Sequence, residues 1–406
     1  MATRTGLVRC IACAHLQAME QFDAVVIGAG AAGMMCALTA GGRGRRVLLL
    51  DHGTEAGAKI VISGGGRCNF TNEHTAPDRF LSSNPRFCHG ALSRYTPQDF
   101  IAMIERHGIA YHHKALGQLF CDGSARAVVA MLLNECAAAS VDVRLGHRVT
   151  ALDHGLGYTI TTDHGAFGAP ALVLATGGLS IPKMGATAFA HDAARRFGIP
   201  LTPIRPGLVP LTFEGDDLAL MRSLSGVSLP VHARAGVAEF TEAMLFTHRG
   251  LSGPAILQAS SYLTDGDVMT VDMLPGLDAA QYLVGRKRTR PRAEVRTVLA
   301  EVLPARLAQA LTVPLGPIAD QPDRALNAIA ASLNRRALHP VGSEGYAKAE
   351  VTLGGIDTRA LSSQTMQART MPGLFAIGEA VDVTGWLGGY NFQWAWASGW
   401  CAGQAI

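Results

Sequence analysis

Residues 22–33 read Phe-Asp-Ala-Val-Val-Ile-Gly-Ala-Gly-Ala-Ala-Gly, and this stretch decides the fold. Its apolar first half predicts a buried strand, and its glycines lead into a predicted helix over Ala31–Ala40. A second buried strand, Arg46–Leu50, follows and ends at Asp51. A strand, a helix and a strand within ~30 residues form a βαβ unit, whose parallel strands need cover on both faces. The stretch therefore predicts an α/β protein.

The three glycines of this stretch have the G-x-G-x-x-G spacing of a dinucleotide-binding turn. Gly28 permits the tight turn, Gly30 lets the backbone approach a pyrophosphate, and Gly33 allows helix and strand to pack closely. The pyrophosphate then lies at the helix N-terminus, where unpaired N–H groups favour an anion. Asp51 is placed to accept hydrogen bonds from the ribose hydroxyls of an adenosine. A purely structural glycine turn is the alternative.

Two further elements favour FAD as the dinucleotide. Residues Gly373–Glu379 form an apolar run that ends in Gly-Glu near the C-terminus. A similar element in flavoproteins with two dinucleotide-binding domains brings an acid to the ribityl chain of FAD. Ala175-Thr-Gly-Gly178 ends another buried strand and resembles the ATG element of the same superfamily. Together these elements favour FAD over NAD as the resident cofactor.

Four more motifs occur in order along the chain: Ser63-Gly-Gly-Gly-Arg-Cys-Asn-Phe-Thr-Asn72, Leu245-Phe-Thr-His-Arg-Gly-Leu-Ser-Gly-Pro254, Val351-Thr-Leu-Gly-Gly355 and Gly388-Gly-Tyr-Asn-Phe-Gln-Trp-Ala-Trp396. With them, the chain from Phe22 to its C-terminus resembles the BaiN-type NAD(P)/FAD-dependent oxidoreductases. The resemblance implies an FAD domain of the glutathione-reductase type, built from both ends of the chain, with an inserted β-rich and partly helical domain. The chain departs from the family at Thr384-Gly-Trp-Leu387, where many relatives carry a more acidic stretch.

The resemblance and a change in the sequence pattern after residue 200 divide the chain into four predicted segments. Prolines and short alternating runs follow that point, and buried strands with glycines return near Ala349. The segments are an N-terminal extension (1–21), the first part of the FAD-binding domain (22–200), the inserted domain (201–345) and the C-terminal part of the FAD-binding domain (346–406).

The candidate cofactor-binding residues come from the glycine fingerprint and from the resemblance. The glycine-rich loop before Asn69 is expected beside the pyrophosphate and the flavin, with an internally hydrogen-bonded loop as the alternative. The last helix begins after Gly389, so its N-terminus is expected to point at the flavin. No catalytic residue is assigned, and no metal ion is expected. The candidates are Gly28, Ala29, Gly30, Ala31, Ala32, Gly33, Asp51, His52, Lys59, Gly65, Gly66, Arg67, Cys68, Asn69, Val149, Thr176, Gly177, Gly378, Glu379, Gly389, Tyr390, Asn391 and Phe392.

Charge and composition bear on the partners. The 406 residues are 48% hydrophobic, which excludes a disordered chain, and 35 basic against 32 acidic residues leave a net charge of +3. That balance argues against nucleic acid or an anionic membrane surface as a partner. The basic run Gly285–Arg296 has two interpretations, a docking site for an anion and a solvated linker with a helix face. We favour the second and predict a small-molecule substrate, no nucleic acid and no membrane.

The cysteines and the uncharged stretches of the sequence indicate the cellular compartment and whether the chain crosses a membrane. The eight cysteines are scattered, which is typical of reduced thiols and predicts a cytoplasmic protein. Cys10 and Cys13 form a lone CxxC that we interpret as incidental, and Cys68 has no nearby cysteine for dithiol chemistry. Ala24–Gly42 and Val383–Ile406 contain no charged residue, but their glycines and amides argue against membrane spans.

The sequence thus predicts an FAD-dependent oxidoreductase. Hydride would pass from a donor through flavin N5 to a small organic acceptor, for which the resemblance suggests an enone-type double bond. NADH or NADPH is the expected donor and would bind transiently, because no second G-x-G-x-x-G occurs. His248 could donate a proton or simply hydrogen-bond the backbone. Two alternatives stay open: a flavin-dependent nucleic-acid-modifying enzyme, and a non-catalytic FAD-binding sensor module. The oligomeric state is not assigned.

Overall fold

The computed structural model describes residues 19–312 and 314–406, so the predicted CxxC at Cys10 and Cys13 lies outside the described residues. The described chain divides into two compact units. One contains residues 19–204 together with Leu353–Ile406, and the other contains Arg205–Thr352. The predicted α/β fold, with a Rossmann-type domain and an additional β-rich domain, is confirmed.

A five-stranded parallel sheet organises the first unit. Its strands come from both ends of the chain, and four of the five are buried throughout because their residues are apolar and covered on both faces. All four pairings are parallel, so the carboxyl ends of neighbouring strands meet at one edge of the sheet. In spatial order the strands are Leu374–Ala376, Ala171–Leu174, Ala24–Ile27, Val47–Leu50 and Asp142–Arg144.

Two helices pack closely against each other in this unit. The first helix spans Ala31–Gly41, and the C-terminal helix spans Tyr390–Ala405. A Cβ atom added at Gly399 would lie 2.4 Å from the Ala32 carbonyl oxygen, so a side chain there would force the helices apart. Small residues on the C-terminal helix are therefore what allow the contact.

The remaining elements of the first unit surround the parallel sheet. Its smaller sheets contain Glu20–Gln21, Gly165–Ala169, Tyr158–Thr162 and Val149–His154; Asn69–Asn72, Gln118–Cys121 and Tyr111–His113; and Phe80–Leu81 with Thr384–Gly385. Its other helices are Ala58–Ile62, His89–Arg94, Pro97–Arg106, Arg126–Ala138 and Phe189–Arg196.

One predicted strand differs in the structure. The sequence pattern predicts strand over Asp142–Leu152, but the structure ends a parallel strand at Arg144 and begins a separate antiparallel strand at Val149. The break lies at Gly146, whose φ of +71° belongs to the left-handed region that glycine adopts readily. The Gly146 N–H donates to the Gly53 carbonyl oxygen at 2.8 Å, so the loop is held against the end of the Val47–Leu50 strand.

A seven-stranded antiparallel sheet organises the second unit. Its strands, in spatial order, are Arg336–Leu338, Met269–Asp272, Ser228–Ala235, Ala238–Phe246, Gly250–Ser252, Leu211–Thr212 and Gly342–Ser343. Short strands also cover Arg205–Gly207 and Val351–Leu353, and helices cover Gly215–Ser223 and Pro254–Ser260.

Residues 279–334 form a helical insert between two paired strands of this sheet, Met269–Asp272 and Arg336–Leu338. The sequence pattern predicts a helical segment near Val298–Leu311, but the structure divides it into two helices, because Pro304 precedes the start of a new helix. The helices of the insert are Ala279–Thr289, Val295–Leu299, Ala305–Thr312 and Asp323–Asn334. Within the described chain, no helix combines the length and the apolar character needed to cross a membrane.

Candidate functional site

The turn after the strand Ala24–Ile27 contains glycines that the packing requires and a glycine that borders open space. Gly28 has a φ of +112°, and its N–H donates to the Leu50 carbonyl oxygen at 2.7 Å. A Cβ at Gly33 would lie 1.8 Å from the Gly28 carbonyl oxygen, so Gly33 is required for helix–strand packing. No atom lies within 4 Å of a Cβ added at Gly30, and no side chain caps the helix there. The first N–H groups of a helix have no intrahelical partner, so open space and unpaired donors coincide at Gly30.

Asp51 holds this turn from the neighbouring strand. Its Oδ2 accepts a hydrogen bond from the Ala29 N–H at 2.7 Å, and its Oδ1 accepts one from the Gly53 N–H at 2.7 Å. The His52 Nδ1 lies 3.6 Å from Asp51 Oδ1. The His147 N–H donates to the Asp51 carbonyl oxygen at 2.9 Å, two residues before the strand that begins at Val149. The structure therefore brings Asp51, His52 and the start of this strand to one side of the turn.

A polar triangle joins three segments at the same edge of the sheet. The Lys59 ammonium lies 2.7 Å from Glu379 Oε2 and donates to the Ser180 hydroxyl at 2.6 Å. The Ser180 hydroxyl donates to Glu379 Oε1 at 2.9 Å. A Cβ at Gly177 would lie 3.8 Å from Glu379 Oε2, so the segment after the Ala171–Leu174 strand also reaches this point. Lys59 and Glu379 balance each other's charge in a partly exposed position.

Ser180 was missed by the sequence reasoning. It follows the Ala175–Gly178 element by two residues, but serines near strand ends are common and nothing in the spacing marks this one. Only the fold brings Ser180 to Lys59 and Glu379, which are distant from it along the chain.

An unsatisfied hydroxyl lies next to this triangle. Thr176 Oγ1 is buried and has no hydrogen-bond partner. Buried polar side-chain atoms nearly always have a partner, so an unpaired one at a site calls for a ligand that supplies it. Together with the open space at Gly30, this hydroxyl makes the edge of the sheet fit a polar, elongated cofactor.

The loop after Lys59 is shaped by consecutive glycines. Gly64, Gly65 and Gly66 have φ values of +56°, +67° and +85°, which non-glycine residues rarely adopt. No atom lies within 4 Å of a Cβ added at Gly65, whereas one at Gly64 would lie 2.7 Å from Phe120 Cε1. Gly65 and Arg67 are therefore exposed with open space at Gly65, whereas a side chain at Gly64 would collide with the Phe120 ring.

Cys68 is buried, and its surroundings make the thiol unreactive. Burial raises the pKa of the Cys68 thiol to about 12, although a hydrogen bond with Ser63 acts in the opposite direction. The Cys68 N–H donates to the Ser63 carbonyl oxygen at 3.1 Å. Reactive cysteines instead have a lowered pKa and some exposure, so the thiol is not placed for redox or nucleophilic chemistry.

The start of the C-terminal helix is held against the same loop. A Cβ at Gly389 would lie 2.4 Å from the Thr71 carbonyl oxygen. The Asn69 amide, with its oxygen toward the Gly389 N–H at 3.2 Å, donates to the carbonyl oxygens of Thr71 and Leu119 at 3.2 Å. The fully buried Gln393 accepts from the Thr71 hydroxyl at 2.7 Å. These contacts fix where the helix N-terminus points.

The first side chains of this helix are already engaged. Asn391 Oδ1 accepts from the Gly385 N–H at 2.8 Å, and its amide donates to the Gly385 carbonyl oxygen at 2.9 Å. The buried Tyr390 ring packs edge-on against Phe80, with ring centroids 6.1 Å apart. Phe392 stacks on Trp396 at 5.6 Å. The backbone N–H groups of the helix N-terminus are therefore its remaining means of binding an anion.

Other sequence candidates lie near this edge or elsewhere. Ala31 and Ala32 form the first turn of the first helix, and Gly378 lies opposite Ala32, whose Cβ would be 2.8 Å from a Cβ at Gly378. His248 lies exposed in the other unit, where its carbonyl oxygen accepts from Arg222 Nε at 3.1 Å. Its role as a proton donor stays a prediction.

The glycine turn, Asp51 and the polar triangle fit a dinucleotide at this edge of the sheet, and the family and the relatives of the chain place it among the FAD-dependent oxidoreductases. The family description "HI0933-like protein Rossmann domain" matches residues 22–405, and the chain belongs to this family. The predicted cofactor FAD, the predicted enzyme class and the resemblance to BaiN-type flavoproteins are confirmed.

Three characterised relatives are similar over nearly their whole length. The chain is 48% identical over 396 residues to the Escherichia coli protein named ribosomal RNA dihydrouridine synthase, with 96% of this chain and 98% of that protein covered. It is 40% identical over 400 residues to the Haemophilus influenzae protein of the same name, with 96% and 99% covered. It is 28% identical over 405 residues to the 3-dehydro-bile acid delta(4,6)-reductase of Clostridium scindens, with 94% and 98% covered.

These relatives correct two predictions. The predicted small organic acceptor and the predicted absence of a nucleic-acid partner are wrong, because the relatives at 48% and 40% identity are named for ribosomal RNA. The findings instead favour the alternative, a flavin-dependent nucleic-acid-modifying enzyme. The predicted acceptor came from the family resemblance. The predicted absence of nucleic acid came from summing charge over the entire chain, and a total near zero says nothing about how charge is distributed over the surface.

Proposed function

We propose that this chain uses FAD to reduce a uridine of ribosomal RNA to dihydrouridine. The observation that carries the proposal is end-to-end similarity, at 48% identity, to a relative named for that activity. The fold supports it, since the carboxyl edge of the parallel sheet is where such sheets bind dinucleotides. A cytoplasmic location is part of the proposal, because ribosomal RNA is the substrate.

The reaction adds two hydrogens to the uracil C5=C6 bond. That bond is conjugated with the C4 carbonyl, so C6 accepts hydride and C5 then takes a proton. Bound FAD, once reduced by the electron donor, would supply the hydride in this chemistry. The protein's task is to hold the cofactor and the base and to keep the proton available. No side chain is assigned to the proton.

The turn and the first helix would hold the pyrophosphate of FAD. Gly30 offers open space beside unpaired helix N–H groups, which suits a diphosphate. Asp51 is already oriented by two backbone N–H groups, so its remaining lone pairs can accept from ribose hydroxyls without reorganisation. His52 and Val149, at the side of this turn, would flank the adenosine.

The polar triangle and the unpaired threonine would hold the middle of the cofactor. Glu379 would accept from the ribityl hydroxyls, while Lys59 pairs with its carboxylate and Ser180 holds the carboxylate in place. Thr176 Oγ1, buried without a partner beside Gly177, would bond the same part of FAD.

Two backbone elements would face the flavin ring. The Gly65–Asn69 loop offers open space at Gly65, and the C-terminal helix presents its N-terminus after Gly389. Negative charge develops near flavin N1 on reduction, and a helix N-terminus stabilises such charge by ~0.3–1 kcal/mol when exposed and by up to ~2 kcal/mol when partly buried.

NADH or NADPH is the proposed source of electrons. The chain contains a single G-x-G-x-x-G, so the nucleotide would bind transiently rather than in a second Rossmann domain. Anaerobic mixing with each nucleotide should bleach the flavin absorbance band. If neither nucleotide bleaches it, another reductant serves.

The experiment that tests the proposal measures product and cofactor together. The reduced holoenzyme is incubated with deproteinised ribosomal RNA, which is then digested to nucleosides and examined for dihydrouridine by mass spectrometry. We expect dihydrouridine from the wild type, and Asp51→Ala and Glu379→Ala should purify with less flavin. Asp192→Ala, which removes an exposed carboxylate on the helix Phe189–Arg196, is the matched control. RNA without dihydrouridine would refute the activity, and full flavin content in both site variants would refute the proposed cofactor contacts.

A further inference from the structure

Charge is unevenly distributed within Arg205–Thr352. The helical insert, residues 279–334, contains eight basic and four acidic residues, whereas the rest of this segment contains seven basic and eleven acidic residues. The two parts cancel, so the segment as a whole is neutral. The insert is therefore a positively charged element inside a neutral unit, and the total charge of the chain conceals it.

Three of the four carboxylates of the insert are held by its own cations. Glu301 pairs with Arg286 at 2.7 Å and also with Arg290, and Asp323 pairs with Lys287 at 2.8 Å. The third paired acid is Glu294, which pairs with Arg296. The fourth acid, Asp320, lies in the short turn Ile318–Asp320. These pairs order the basic side chains.

Three arginines remain available on the insert. Arg288, Arg292 and Arg324 are exposed, and none lies within ion-pair distance of a carboxylate among residues 19–312 and 314–406. We call them the arginine surface. Unpaired, solvated guanidinium groups can each bind a phosphate through two parallel hydrogen bonds.

The arginine surface is formed at one end of the insert. The Lys287 ammonium, next to Arg288, donates to the Gln321 carbonyl oxygen at 2.7 Å, just before the helix that carries Arg324. The Ala319 N–H donates to the Pro291 carbonyl oxygen at 3.1 Å, directly before Arg292. The buried side chains of Leu283, Ile318 and Leu326 fix these segments. The three exposed arginines therefore lie on segments that are held together by hydrogen bonds and buried apolar side chains.

We infer that the arginine surface binds the phosphate backbone of the RNA substrate, an inference that rests on the proposed function. Phosphate contacts position a protein on a nucleic acid without reading its sequence, which leaves base selection to the flavin site. An anionic membrane is the other polyanion to consider. Membrane-surface helices need large apolar side chains on one face, and none of the exposed large apolar residues among the described residues belongs to the insert. RNA is therefore the favoured partner.

The test removes the three charges and measures RNA binding by the FAD-loaded protein. The probe is fluorescein-labelled, deproteinised ribosomal RNA, followed by anisotropy at several salt concentrations. Each lost phosphate contact lowers the salt slope of log K by ~0.7, so R288A/R292A/R324A should lower it by about 2 and weaken binding about 100-fold at 0.1 M salt. R288K/R292K/R324K keeps the charge and should keep most of the slope. R195A/R234A/K348A removes three exposed cations elsewhere and should bind like the wild type.

The outcomes separate this inference from the proposed function. If the alanine variant binds RNA with the wild-type affinity and salt slope, the arginine surface is refuted, even when the wild type makes dihydrouridine. If the variant loses binding but the wild type makes no dihydrouridine, the surface stands as an RNA-binding surface and the proposed activity fails. If vesicles with phosphatidylserine bind the wild type as tightly as RNA does, and only the alanine variant releases them, a membrane replaces RNA as the partner. Unchanged flavin content and unchanged flavin reduction by NADH or NADPH show that each variant is folded.

Discussion

The FAD-binding unit and the helical insert differ in the atoms on which their proposed sites depend: backbone atoms in the first and side chains in the second. The turn at Gly28–Gly33 works through backbone, because a Cβ at Gly33 would lie 1.8 Å from a carbonyl oxygen and Gly30 borders open space. The proposed RNA-binding surface of the insert depends instead on arginine side chains, supported by a buried apolar core. A backbone site demands glycine at fixed positions and so leaves a motif. A charged surface can be built from many arrangements of basic residues, so it produces no sequence motif. It is also invisible in the net charge of the whole chain.

The two units also differ in their cysteine content. This difference leads to the prediction with the largest expected effect, a loss of stability at high pH. All eight cysteines and all four tryptophans lie outside Arg205–Thr352. Burial raises the pKa of the described cysteines, to about 12 for Cys68 and Cys136 and to about 11 for Cys88, Cys121 and Cys401, with Cys36 raised further. The unfolded thiols ionise near pH 9, so the unfolded state loses protons first and stability falls as pH rises from there toward the folded pKa values.

Each buried thiol should cost the FAD-binding unit about 1.4 kcal/mol per pH unit above 9. Because six such thiols lie in this unit, its stability should fall steeply above pH 9. Urea unfolding followed by tryptophan fluorescence, under reducing conditions, reports this unit alone and should show a midpoint that drops steeply from pH 8 to pH 10. Cys36→Ala should reduce the pH slope by one proton. An identical midpoint at pH 8 and pH 10 would show that these thiols do not control stability.

The second prediction separates the two kinds of glycine. Gly33→Ala should destabilise the unit by about 3 kcal/mol, because the new methyl group overlaps the Gly28 carbonyl oxygen. Gly30→Ala should leave the thermal unfolding midpoint within a few degrees, because its Cβ meets no atom, yet it should purify with less FAD. Differential scanning calorimetry and flavin absorbance measure the two effects. Equal effects of the two substitutions on stability would contradict this division.

The third and smallest prediction compares cations in the two regions. Lys59→Met should lower the free energy of unfolding by about 1 kcal/mol, because it removes the partner of the partly buried Glu379 carboxylate. Arg288→Met should change it by less than about 0.5 kcal/mol, because Arg288 is exposed and has no ion pair among the described residues. Urea titration of each variant measures the difference. A larger loss for Arg288→Met would mean that the arginine surface has a structural role.

Sequence reasoning succeeded where chemistry demands particular residues at particular spacings. The first helix was predicted over Ala31–Ala40 and spans Ala31–Gly41, because glycines enter it and apolar residues bury it. The strand predicted over Asp142–Leu152 was wrong in its interior, because a left-handed turn at Gly146 divides residues that look equally strand-like. The predicted acceptor was wrong because it followed the resemblance to BaiN-type enzymes, and the predicted absence of nucleic acid was wrong because net charge was taken as a guide to partners.

The sequence by itself determined the parallel sheet, the glycine turn, the FAD cofactor and the oxidoreductase class. The sheet and the turn follow from local constraints, namely glycine spacing and runs of apolar residues, which can be seen along the chain. The cofactor and the enzyme class follow from motifs that resemble those of a known flavoprotein family. Only the tertiary structure joined Lys59, Ser180 and Glu379 into one network, since their separation along the chain exceeds any local spacing rule. It alone also gathered Arg288, Arg292 and Arg324 at one end of the insert, because helix packing, and not sequence order, decides which charges share a surface.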